Sequence, residues 1–89
     1  MKAVVSVIGK DSVGILAKVS AKCAEYNVNI NDVTQTILQG TFTMIMMTDT
    51  TNCSVEFSDF SDEMSKLGNE MGMTIHVMHE DIFNSMHRI

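Results

Sequence analysis

The spacing of apolar residues differs from segment to segment along this chain, and the order of these segments is compatible with few folds. Two segments repeat apolar residues every three or four positions, which is the spacing of an amphipathic helix. Shorter segments rich in Val, Ile, Met and Thr precede and follow them, as is typical of strands. The pattern predicts strands at 3–8, 28–38, 41–47 and 73–78, helices at 13–26 and 57–71, and a tail helix at about 81–89.

This β-α-β-β-α-β order predicts an α+β, ferredoxin-like fold. Two interleaved right-handed βαβ units give a four-stranded antiparallel sheet with both helices on one face. The other face stays open unless the tail or a partner covers it, which indicates dimerisation. At 89 residues we expect a single domain, 1–89, with its core at about 1–79 and the short helix as a tail.

Helix caps and turns are visible as short polar residues and glycines. Asp11 or Ser12 is predicted to cap the first helix, because a short side-chain oxygen accepts the free amide protons there. Asn27 is predicted to end that helix and Gly72 the second one. The irregular apolar pattern of the second strand predicts a bulge near 31–32.

Charge and cysteine content exclude several classes of function. Lys and Arg number 6 against 11 Asp and Glu, so a net charge of −5 repels nucleic-acid backbones. No apolar run approaches the ~18 residues of a membrane span, and the apolar start of the chain indicates a strand rather than a signal peptide. Two cysteines outside any C-x-x-C pattern indicate a reducing compartment, so we expect a cytoplasmic protein.

Candidate residues for catalysis or metal binding are sparse. Ser12 has no histidine close to it in sequence, so no nucleophile–base pair is predicted. His76 and His79 lie three apart on a predicted strand and therefore point to opposite faces. We accordingly expect no catalytic residue, no metal site and no cofactor.

The loop between the first strand and the first helix is the strongest candidate for a binding site. Free amides at the start of a helix favour an anion such as a carboxylate, and Asp11 can accept hydrogen bonds from an ammonium group. Asn29 can both donate and accept, but it begins the next strand and need not lie near the loop within one chain. Two simpler interpretations stay open: Asp11 as a plain helix cap and Gly14 as a packing glycine.

Two motifs in this region carry a resemblance to a known family. Gly9-x-Asp11-x-x-Gly14-Ile15-Leu16, followed by Tyr26-Asn27-Val28-Asn29-Ile30, resembles an ACT domain, the small-molecule-sensing module of amino-acid metabolism. The whole chain, including residues 35–38 and the ending 79–89, is similar to small stand-alone bacterial and archaeal ACT proteins of uncertain function. In place of the Pro that many ligand-binding members carry before the loop glycine, this chain has Val13.

The resemblance implies a non-catalytic regulatory protein. ACT domains commonly pair side by side and bind amino acids at the interface, so we expect a homodimer with an amino-acid ligand and a metabolic enzyme or regulator as partner. The alternative is a ligand-free interaction module that docks through the open sheet face or the tail. The ligand contacts are expected from the first loop and the second strand, at Asp11, Ser12, Val13, Gly14, Ile15 and Asn29.

Overall fold

The computed structural model describes residues 1–86 and confirms the predicted α+β ferredoxin-like fold with a C-terminal helix. All three strand pairings are antiparallel, and the strand order across the sheet is β2-β3-β1-β4. The elements are β1 Lys2–Lys10, α1 Ile15–Glu25, β2 Asn29–Leu38, β3 Thr41–Asp49, α2 Phe57–Met71, β4 Met73–His79 and α3 Glu80–Met86.

Three of the predicted local signals are confirmed. Asn27 follows α1 with a φ of 60°, the left-handed conformation that ends a helix. Gly72 ends α2 in the same conformation, with a φ of 71°. The register of β2 against β3 shifts between Ile30 and Asp32, where the bulge was predicted.

The hydrophobic core lies between the sheet and the two long helices. Alternation along β1 directs Val5 and Val7 toward this core, and both are fully buried. Across the sheet, β3 contributes Met44 and Met46 to the same cluster. Methionine fills irregular gaps in a core, which accounts for these two residues without a metal-binding role.

The buried face of α1 is formed by Ile15, Val19 and Cys23. The helical spacing predicts Leu16 on this face together with Val19 and Cys23, but Leu16 is 42% exposed and Ile15 takes the buried position. Residues four apart lie on one face of a helix, and the set that begins at Ile15 is the one that faces the sheet. Leu16 is thereby left on the surface in the first turn of α1.

α3 packs against the sheet face opposite α1 and α2. It contacts β1 and β4, and Val4, which alternation directs to this side of β1, is only 1% exposed. The imidazole Nδ1 of His79 accepts a hydrogen bond from the backbone N–H of Asp81 at 3.1 Å, at the start of the helix. Ile82 and Met86 remain 56% and 69% exposed. The predicted tail residue Ile89 lies outside the described residues.

Because Cys23 is buried, the free energy of unfolding depends on pH in the alkaline range. Desolvation, and to a smaller extent the neighbouring Cys53, raises the pKa of the Cys23 thiol from 9.0 to about 11. Between these values the folded protein holds a proton that the unfolded chain has released. The thiol's contribution to stability is therefore complete below pH 9 and is lost as the pH rises toward 11. Two pKa units correspond to about 2.7 kcal/mol, an upper bound here.

We expect the stability difference between the wild type and Cys23→Ala to shrink as the pH rises from 8 to 10.5. Urea unfolding at several pH values measures it, and the difference between the two proteins cancels the titration of groups that they share. A difference that stays constant over this range would show that the thiol ionises as freely in the folded protein as in the unfolded chain.

Candidate functional site

The loop between β1 and α1 is held in place at both of its ends. The backbone N–H of Asp11 donates to the carbonyl of Gly40 at 2.9 Å, which ties the loop to the turn between β2 and β3. Gly14 then takes the left-handed conformation, with a φ of 87°, and stands immediately before α1. A side chain at this position would be strained, so the turn itself requires glycine.

The prediction that Asp11 or Ser12 caps α1 is wrong. The capping position is Gly14, and no side chain makes a capping hydrogen bond there. The left-handed turn at Gly14 delays the helix to Ile15, which places Asp11 and Ser12 too early in the chain to cap it. Their side chains are exposed beside the helix start.

The first turn of α1 offers backbone N–H groups to solvent. The first helical hydrogen bond runs from the N–H of Lys18 to the carbonyl of Gly14 at 3.0 Å. The amides of Ile15, Leu16 and Ala17 therefore have no partner inside the helix, and no side chain caps them. These amides, together with the helix dipole, make the start of α1 attractive to an anion.

The predicted loop residues differ in what they can offer to a ligand. The Val13 side chain is 98% exposed, so it is free to contact a molecule that approaches from solvent. Ile15 as a whole is only 3% exposed and belongs to the core, so the structure places it beneath the loop rather than at its surface. The side chains of Asp11 and Ser12 lie at the exposed rim of the loop.

Asn29 lies at the opposite end of the sheet from this loop. It pairs with Asp49, which pairs in turn with Lys2, whereas the loop follows Lys10 at the other end of β1. Lys2 and Lys10 are eight steps apart along β1, or about 26 Å at the usual rise per residue. The structure therefore does not bring Asn29 and the loop together within one chain.

The surroundings of Asn29 form a polar concavity of about 460 Å³. The side-chain amide of Asn29 donates a hydrogen bond to the side-chain oxygen of Asn31 at 2.6 Å. Asp49, Thr51 and Asn52 line the same concavity. The sequence did not predict this concavity, because its residues meet through strand pairing rather than through spacing along the chain.

Asp49 is the carboxylate at the centre of a small polar cluster. It accepts hydrogen bonds from the hydroxyl of Thr51 and from the Thr51 backbone N–H at 2.9 Å. The amino group of Met1 lies 3.7 Å from the same carboxylate. The Thr51 hydroxyl, then its N–H, and to a smaller extent the amino group hold the pKa of Asp49 below its usual value. The carboxylate stays ionised where Asn29 begins β2.

Residues 1–86 contain neither a side-chain cluster suited to a metal ion nor a helix suited to crossing a membrane. These residues bring together no group of three His, Cys, Asp or Glu side chains suited to a metal ion. None of their helices has the length and apolar character that crossing a membrane requires. The third histidine, His87, lies outside the described part of the chain.

Comparison with known proteins places this fold in a family. A family model described as an ACT domain matches residues 2–78. A UPF0237 protein of Listeria innocua is 51% identical over 89 residues, with 100% of both chains covered. A UPF0237 protein of Methanocaldococcus jannaschii is 49% identical over 88 residues, with 99% of this chain and 98% of that protein covered.

A solved structure supports the same assignment. The ACT domain protein from Streptococcus pneumoniae has a TM-score of 0.82 and 36% sequence identity, and the match covers 93% of each chain. The resemblance seen in the sequence is thereby confirmed over sequence and fold alike. This chain belongs to the ACT-domain family, among the small UPF0237 proteins.

Proposed function

We propose that this protein is a non-catalytic regulatory module that binds an α-amino acid or a similar small metabolite at the β1–α1 loop, where two subunits meet. An ACT domain is typically a regulatory module that binds a small ligand. The proposal adds the ligand class, the residues and the shared interface.

The uncapped first turn of α1 beside an exposed carboxylate is the observation that carries the proposal. The free amides of the exposed residues Leu16 and Ala17 suit the carboxylate of an amino acid. Asp11, exposed on the same short loop, suits its ammonium group. A zwitterion thus finds a partner for each of its charges within one loop, and the exposed Val13 leaves an apolar contact for its side chain.

Pairing of two subunits through β2 would complete the site with Asn29. β2 lies at an edge of the sheet, so one side of its backbone is available to a second strand. In an antiparallel pairing of β2 with itself, the start of one strand lies beside the end of the other. The partner subunit's Asn29 then approaches Leu38, at the end of the sheet where Gly40 holds the loop.

Exposed apolar side chains support this pairing. Leu16 in α1 is 42% exposed and Ile37 near the end of β2 is 54% exposed, and both lie toward the loop end of the fold. A subunit that pairs along β2 would cover them. A ligand bound between subunits would then regulate by stabilising one pairing geometry over others.

The ligand-free interaction module is a second candidate, favoured by one observation. Ile82 and Met86 lie four residues apart on α3 and are exposed on the same helix face. A metabolic enzyme or regulator that binds this face would use the protein as an adaptor without any small molecule.

Thermal unfolding in the presence of each common α-amino acid tests the proposed function. A ligand at about 100 times its dissociation constant adds about 2.7 kcal/mol of stability, and each kcal/mol raises the Tm of a domain this small by about 4–8 °C. We expect at least one amino acid to raise the Tm and Asp11→Ala to abolish that shift, because the ammonium group loses its partner.

Asp62→Ala is the matched control, since it removes an exposed carboxylate from α2, away from the loop. It should keep the full ligand-induced shift. Equal shifts in both variants would remove Asp11 from the site. An unchanged Tm with every amino acid would favour the ligand-free module instead.

A further inference from the structure

Lys18 is the fourth residue of α1 and is exposed beside the free amides of the proposed site. A side chain on a helix extends toward the N-terminus of that helix, over the residue four positions earlier. For Lys18 that residue is Gly14, and the Cε of Lys18 lies 4.0 Å from the position that a Cβ on Gly14 would occupy. The lysine side chain therefore crosses the left-handed turn, and its ammonium group lies near the start of the helix.

The start of α1 is an unfavourable place for a cation. The helix dipole is positive at this end, and the first turn of α1 contains no acidic residue. Of the residues three or four positions from Lys18, only Lys22 is charged, and like charges at this spacing repel each other. Within residues 1–86, Lys18 has no ion-pair partner. The charge of Lys18 is therefore not balanced by the helix that carries it.

The two other lysines of α1 and α2 are placed differently. Lys22 forms an ion pair with Glu25 at 3.5 Å in the last turn of α1, and Lys66 forms one with Glu63 at 3.3 Å in α2. Each of these lysines thus has a carboxylate three positions away in its own helix. Departures from such local preferences are expected at functional sites. Lys18 departs from them exactly where the proposed ligand binds, which favours a counter-charge supplied by the ligand.

We infer that the ligand of the proposed site is an acidic amino acid and that Lys18 binds the carboxylate of its side chain. The inference rests on the proposed function and adds the class of ligand. The α-carboxylate accepts hydrogen bonds from the free amides, and the ammonium group lies at Asp11. The second carboxylate then pairs with Lys18. A neutral amino acid has no group left for this lysine, whereas an acidic one matches every charge of the loop.

Isothermal titration of the full chain with aspartate, asparagine, glutamate and glutamine tests the inference. Each acid has nearly the size and shape of its amide and differs from it in the charge of the side chain. We expect the acid of at least one pair to bind about fivefold more tightly than its amide, the upper end for an exposed ion pair. Added salt should reduce this preference, because it screens exposed charges.

Three variants assign the preference to one side chain. Lys18→Met removes the charge and keeps an apolar side chain, so the acid and its amide should bind equally well. Lys18→Arg restores a cation and should restore the preference for the acid. Lys66→Met is the matched control, because it removes the same charge from α2 and should keep the wild-type preference. Circular dichroism verifies that each variant is folded.

The outcomes separate this inference from the proposed function. Acids that bind no more tightly than their amides to the wild type would overturn the inference and leave the amino-acid site in place. A preference for the acid that persists in Lys18→Met would overturn it as well. Binding of no α-amino acid at all would overturn the proposed function and this inference together.

Discussion

We expect Phe60→Ala to lower the free energy of unfolding by about 3–5 kcal/mol, the range measured for large-to-small substitutions of buried aromatic residues. Phe60 is fully buried beneath the sheet, and its ring packs edge-on against Tyr26 with 6.1 Å between the ring centroids. The substitution leaves a cavity that the strands cannot close, because they are tied to one another by backbone hydrogen bonds. Small domains are stable by about 5–15 kcal/mol, so much of the total is lost.

Thermal unfolding measures this effect, and we expect the Tm to fall by at least about 12 °C. Phe57→Ala is the matched control, because Phe57 opens the same helix but is only partly buried. It should lose no more than about half as much stability. Equal losses at the two positions would contradict the placement of Phe60 at the centre of the core.

Gly68→Ala is expected to have the second largest effect, a loss of about 1–3 kcal/mol from overpacking. Gly68 is buried where α2 crosses β4. An added Cβ would lie 2.8 Å from the carbonyl oxygen of Met73 and 3.0 Å from the Ile75 side chain. The carbonyl belongs to a strand paired with β1 and cannot move independently, so the helix must shift as a whole. The gain in helix propensity, about 1 kcal/mol, offsets part of the loss.

Urea unfolding of Gly68→Ala beside Asn69→Ala separates packing from propensity. Asn69 is exposed on the same turn of α2, so alanine there should be neutral or stabilising. If Gly68→Ala were as stable as Asn69→Ala, the contact between α2 and β4 would be looser than the structure shows.

The course of the chain could be predicted from the sequence because local and tertiary signals agree along most of it. α2 is the best example. Its apolar residues step by three and four from Phe57 to Met71, and Gly72 ends it where the pattern stops. The bulge in β2 was predictable for a similar reason, since the alternation of apolar residues breaks at Asn31.

The start of α1 could not be predicted, because two local rules compete there. Asp11 and Ser12 are favoured caps, yet the left-handed Gly14 begins the helix later and leaves both outside it. The same shift places Ile15 in the core and Leu16 on the surface. Sequence spacing alone does not distinguish the two neighbouring apolar residues, since either fits the helical repeat.

The distance between Asn29 and the β1–α1 loop could not be predicted from the sequence either. The pairing of Asn29 with Asp49 sets the distance to the loop, and no spacing along the chain encodes it. The burial of the tail residues was not predictable either. α3 packs on the sheet of its own chain, whereas the side chains of Ile82 and Met86 remain exposed on the helix. Which side chains of α3 are buried depends on the orientation of the helix on the sheet, and only the three-dimensional structure gives that orientation.

Mixing two variants that do not bind the ligand tests most directly whether each binding site is shared between two subunits. Asp11→Ala and Asn29→Ala should each abolish binding of the amino acid that most raises the wild-type Tm. In a mixed pair, one site carries both substitutions and the other carries none. After unfolding and refolding together at equal amounts, isothermal titration should recover about one quarter of the wild-type number of sites. A mixture that forms mixed pairs yet recovers no binding would contradict a site built from the loop of one subunit and the partner subunit's Asn29.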